Sequence, residues 1–175
     1  PASSAATAVK EKFPSVTYSD VYFREPESRA DQTRMMSIVT TGAETGYYVD
    51  VFRSRKEKGG DKMHDYFYHN LGQTLTLTAA DGSDLNLQPT EELAFAGAHL
   101  YAYSYLYDKK VAATNKDVKA TFTIDMKDKD GDDIYMNLWM KGEPDREVFT
   151  ALAPMTEGLS RTPNMPYNKK EQPTL

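Results

Sequence analysis

The sequence predicts an all-β fold, an antiparallel β-sandwich with at most one short helical turn. Three observations carry that expectation. Short runs of alternating apolar and polar residues recur along the chain, the period expected of half-buried strands. Twelve tyrosines, seven phenylalanines and one tryptophan supply many of the apolar positions, and aromatic side chains favour pleated surfaces. Turn pairs such as Asp81-Gly82 separate the runs, and many short strands with little helix between them pack best as antiparallel sheets face to face.

The elements follow in order. Val16–Arg24 reads as the first strand and residues 34–41 as the second, closed by the turn-like 42–46. In 47–53, Tyr47, Val49, Val51 and Arg53 share one face, and Tyr48, Asp50 and Phe52 share the other. Residues 54–62, with Gly59-Gly60 inside, read as a hairpin loop whose return strand is 63–70. Residues 73–78 alternate cleanly up to Asp81-Gly82. The one helical signal is 89–95, with Thr90 as its N-cap. Residues 100–107 read as extended, 119–125 and 134–140 as strands around an Asp130-Gly131 hairpin, and 147–152 as the last strand. Residues 1–15 are expected to be a loose N-terminal segment, 16–155 the sandwich domain, and 156–175 an irregular C-terminal segment. Both ends read as cut, so the chain is expected to be a fragment of a larger protein.

At 175 residues the length suits one domain with a substantial core. A net charge of -5 argues against nucleic acid, whose binding needs a basic footprint, and against an anionic membrane surface. No apolar run approaches the roughly 20 residues of a membrane-spanning helix. The absence of cysteine removes disulfides, thiolate metal sites and thiol nucleophiles. An acidic ligand would have to be met by a local cluster of cations.

The chain has three histidines, His64, His69 and His99. His64 and His69 are five residues apart, so a regular strand points them to opposite faces and they should not chelate one metal together. His64, Tyr66 and Tyr68 share one side, and Asp65, Phe67 and His69 the other. A hydrogen-bonded structural histidine is the plainer alternative for either. Asp125, Asp128, Asp130, Asp132 and Asp133 suggest a calcium loop, but Gly131 comes too early and Trp139 stands where the pattern needs glutamate. Tyr101, Tyr103, Tyr105 and Tyr107 form a one-sided stripe, read chiefly as an inner sandwich layer and otherwise as a sugar-stacking platform. Arg53, Arg55, Lys56 and Lys58 are the one basic cluster, suited to an acidic sugar or simply a solvated loop. Neither a nucleophile elbow nor a phosphate-cradling glycine loop is present.

The stretch 47–53, Gly59-Gly60 and the run His64-Asp-Tyr-Phe-Tyr-His-Asn70 resemble the C-terminal β-region of heparinase II/III-like proteins, as do 34–39 and 153–163. The resemblance implies a bacterial, periplasmic or extracellular parent with an N-terminal α/α toroid. It also implies lyase chemistry on uronic-acid polysaccharides such as heparin, heparan sulfate or alginate. In that chemistry a base removes the C5 proton of a uronate whose carboxylate has been neutralised, and an acid protonates the leaving oxygen. The main catalytic residues would come from the absent toroid, so the fragment is expected to be inactive alone. His64 and His69 are the candidate cleft residues, and Arg53, Arg55, Tyr66 and Tyr68 the candidate substrate contacts. Zinc is implied for the parent, with His64 or His69 as a single ligand, but no cofactor is expected in the fragment itself. The rival expectation is a non-catalytic carbohydrate-binding or structural sandwich. Aromatic rings on both sides of 47–70 further imply that one face is covered by another domain or by self-association.

Overall fold

The computed structural model describes residues 12–26, 28–60, 64–92, 105–126, 131–155 and 171–175. It is all-β and antiparallel throughout, as the alternation predicts. The chain divides into two compact units, Pro1–Asp65 and Tyr66–Leu175.

The first unit holds one three-stranded sheet in the order β1 (Val16–Arg24), β2 (Asp31–Thr40), β3 (Gly46–Arg55). Its register pairs Tyr18 with Ser37 and Ser37 with Val49, so these side chains share one face. That face is the drier one: Val16, Tyr18, Met35, Val49 and Val51 are half-buried and Ser37 is buried. The opposite face carries Val21, Phe23, Met36, Ile38, Tyr48 and Phe52, each between 40% and 73% exposed. In its middle Arg34 grips Asp50 through two hydrogen bonds, at 3.0 Å and 2.5 Å.

The second unit is the sandwich. One sheet runs β4 (Thr74–Ala79), β7 (Val118–Ile124), β8 (Ile134–Met140). The other runs β10 (Gln172–Thr174), β9 (Glu147–Ala153), β6 (Tyr107–Ala113), β5 (Gln88–Pro89). Leu77, Val118, Ala120 and Phe122 from the first sheet and Ala112 and Val148 from the second form one buried cluster. Phe122 lies at its centre, with no exposed surface and the tilted Tyr68 ring 5.6 Å away. Polar residues alternate with these along β4 and β7 (Thr74, Thr76, Thr78, Lys119, Thr121, Thr123) and face away from the core.

Two turns that carry the chain between the sheets are tied to each other. Arg146 donates to the carbonyls of Lys141 and Lys116. The Asp117 carboxylate accepts the Gly142 amide at 2.8 Å and the Lys141 ammonium at 2.9 Å. Position 142 has to be glycine, because a Cβ there would collide with the Asn115 carbonyl oxygen.

Several sequence expectations differ from this. Residues 64–70 are not the return strand of a hairpin with β3. Only His69 makes a bridge, and it is to Thr174, while Tyr68 exchanges two backbone hydrogen bonds with Leu175, at 2.8 and 3.0 Å. The C-terminal stretch read as irregular ends in a buried strand, β10, paired to β9. In the helical stretch, Pro89 is instead part of the short strand β5, and Thr90 Oγ1 accepts the amide of Glu92, two residues on. Residues 93–95 lie outside the described residues. Of the tyrosine stripe, Tyr105 and Tyr107 face outward and Leu106 faces in, so this end is not an inner layer. Tyr101 and Tyr103 lie outside the described residues. A bulge between Tyr107 and Lys110, with Asp108 at φ 46°, breaks the alternation there.

Two stability predictions follow from this packing. Phe122→Ala should remove about 3–5 kcal/mol, the usual cost of emptying a fully packed phenylalanine site, read as a fall in the urea midpoint. The Gly142 amide and then the Lys141 ammonium hold the Asp117 carboxyl below its ordinary value of 3.8. A depressed folded-state value stabilises the fold above the ordinary value and loses that contribution as the pH falls through the folded one. Asp117→Asn should therefore be less stable than the parent at neutral pH, with the two urea midpoints converging as the pH drops below about 4.

Candidate functional site

The β1–β2 turn is built from its own polar groups. Glu25 and Ala30 pair through the backbone, the Glu25 carboxylate accepts the Ser28 amide, and Ser28 Oγ accepts the Ala30 amide. This compact turn holds Arg29 at φ 56°, a left-handed conformation that a β-carbon makes costly, on the order of 1 kcal/mol. Arg24, Ser28 and Arg29 from this end of the sheet line a cleft of about 380 Å³ with Lys56, Glu57 and Lys58, which follow β3.

Four cations against one carboxylate line this cleft, in a chain whose net charge is -5. Arg55 extends the basic region, since it shares a row with Asp31 and Arg24 on the drier face. Arg53 lies one row further in, beside Thr33 and Tyr22. The Tyr22 hydroxyl donates to Asp31 at 2.6 Å, and that bond to a carboxylate raises the phenol's pKa. Arg24 reaches the same carboxylate only at 3.8 Å. Among the described residues no carboxylate pairs with Arg29, Arg53, Arg55, Lys56 or Lys58. Chemically the cleft is a set of hydrogen-bond donors with an excess of positive charge, suited to carboxylate or sulfate.

The cleft takes Arg24, Arg29, Lys56 and Lys58, while Arg55 and Arg53 sit in the neighbouring rows of the sheet outside its lining. The signal for Arg24 and Arg29 was absent from any local run, because only strand pairing brings them beside Arg55. Tyr66 and Tyr68 belong to the other unit, where the Tyr68 ring packs on Phe122 and serves the core. His64 is exposed and lies in the first unit. His69 lies in the second, its ring stacked on Phe67 at 5.8 Å and its Nδ1 3.1 Å from Thr174 Oγ1. Among the described residues no three histidine, aspartate or glutamate side chains gather as metal ligands. His69 uses Nδ1 in its contact with Thr174. Asp128, Asp130 and His99 lie outside the described residues.

No family model matches the sequence. No solved structure matches it either. The chain is 32% identical over 143 residues to an endo-acting ulvan lyase of Formosa agariphila, an alignment that covers 79% of this chain and 17% of that protein. The chain therefore spans about a sixth of the relative's length. That similarity relates this all-β chain to part of a polysaccharide lyase.

Proposed function

We propose that this chain is the polysaccharide-gripping β-region of a heparinase II/III-like lyase acting on an acidic, uronate-containing polymer. The observation that carries the reading is the concentration of arginine and lysine at one end of the β1–β3 sheet in an otherwise acidic chain. Similarity to an ulvan lyase supports it.

In elimination the C5–H bond breaks, its electron pair forms the C4=C5 double bond, and the C4–O bond breaks toward the leaving oxygen, which takes up a proton. The C5 proton becomes acidic enough only when positive charge offsets the neighbouring carboxylate. Arg24, Arg29, Lys56 and Lys58 provide such charge in this chain, with Arg53 and Arg55 extending the grip along the polymer. His64 is the candidate proton-handling residue of the same unit. The principal base and acid come from the remainder of a longer parent protein, secreted to the periplasm or the medium. The exposed apolar face of the same sheet is where that remainder, or a second copy of the chain, covers Tyr48, Phe52 and their neighbours.

Two tests follow. The chain should bind ulvan, alginate or heparin in calorimetry, weakening with salt. It should not generate the ultraviolet absorbance of unsaturated uronates. A Lys56→Ala, Lys58→Ala double variant should bind at least about tenfold less tightly, about 1.4 kcal/mol; unchanged affinity would remove the cleft from the reading. The chain should also self-associate with rising concentration in sedimentation. A Met36→Lys, Tyr48→Ser variant should stay monomeric, and a wild-type chain monomeric at high concentration would rule out a second copy as the cover.

A further inference from the structure

The single tryptophan of the chain does not serve the core. Trp139 is on β8, between the core-facing Leu138 and Met140, and is 63% exposed on the outer side of the β4–β7–β8 sheet. Tyr135 lies four residues earlier on the same side and is 57% exposed. At about 3.3 Å per strand residue their α-carbons stand about 13 Å apart. One exposed aromatic needs no explanation; two on one face of one strand, with a shaped surround, do.

The surround is polar. Directly opposite Trp139 is Lys119, whose ammonium lies 5.4 Å from the centre of the indole ring. Between the two rings Asn137 accepts the Thr121 hydroxyl at 2.9 Å, with Thr76 next across the sheet. The face thus has flat apolar surface at two points, hydroxyl and amide groups between them, and a cation at the Trp139 end. At the other end the Asp133 carboxylate accepts the Tyr135 hydroxyl at 3.3 Å. A protein partner would call for an apolar centre with a polar rim, and this face has the reverse. An extended sugar chain fits it: C–H faces stack on the rings, hydroxyls meet the threonine and asparagine row, and an acidic group meets Lys119.

We propose that the outer face of the β4–β7–β8 sheet is a stacking platform for an anionic polysaccharide, with Trp139 and Tyr135 as stacking rings and Lys119 as the charge contact. The proposal extends the polysaccharide-binding reading to a second surface, on the other unit and separate from the cationic cleft. It depends on that reading for the ligand class but on none of the cleft residues.

With one tryptophan in the chain, fluorescence reports this site alone. Titration with a galacturonic acid oligosaccharide should give a saturable change in Trp139 emission. The change should persist in a variant lacking the cleft cations (Arg24→Ala, Lys56→Ala, Lys58→Ala). In that background, calorimetry should show Trp139→Ala weakening binding at least about tenfold. Lys119→Met should weaken the acidic oligosaccharide and leave a neutral cello-oligosaccharide unaffected. Silent fluorescence at saturating acidic ligand overturns the platform, and so does equal affinity of the Trp139→Ala variant. If the wild type binds, its fluorescence stays silent and only the cleft variant loses affinity, the platform falls and the cleft stands. If the cleft variant binds like the wild type with the fluorescence change intact, the cleft falls and the platform stands.

Discussion

A sheet of a few strands has two faces and can hide only what something else covers. The second unit meets that constraint internally. Phe122, Val118, Ala120 and Leu77 on one sheet meet Ala112 and Val148 on the other, and the threonine-rich side turns to solvent. The single sheet of the first unit has a half-buried face and a frankly apolar, exposed one. The Arg34–Asp50 pair sits among those apolar side chains. Such a pair contributes little while solvated and becomes a source of specificity once an approaching surface dries it.

The same division separates the chain's electrostatics from its average. A net charge of -5 speaks against acidic ligands in general, yet what a ligand meets is the local field. Backbone pairing gathers Arg24 and Arg55 on either side of Asp31, and two turns add Arg29, Lys56 and Lys58. Long cationic side chains gathered at one end of a sheet suit a polymer that presents repeated acidic groups. They hold it by many modest contacts and do not enclose one small molecule.

Most of the strands were legible in the sequence because their alternation is regular: β1 and β8 match their predicted limits, and β2, β3, β4, β7 and β9 do so within a few residues. What failed has physical causes. In β6 a bulge at Asp108 interrupts the period. β10 is three residues long and contains proline, too short to show an alternation. Residues 64–70 carry a strand's composition but not a strand's pairing. Their aromatic character reflects Tyr68 packing on Phe122 and Phe67 stacking on His69. Arg53 and Arg55 were found as a basic run, whereas Arg24 and Arg29 needed the fold. Trp139 was visible as a residue, but the outward direction of its ring depended on knowing which side of β8 is core.

The strand β10 is buried along its length, bonded to β9 on one side and flanked by Tyr68 and His69 on the other. His69 and Thr174 are 105 residues apart in the chain. The contacts that seal the second unit are therefore far from local, and loop-closure entropy makes such contacts slow to form. During synthesis the sandwich must wait, with one edge of β9 unpaired, until residues 172–174 have emerged. Its exposure to mispairing is greatest in that interval.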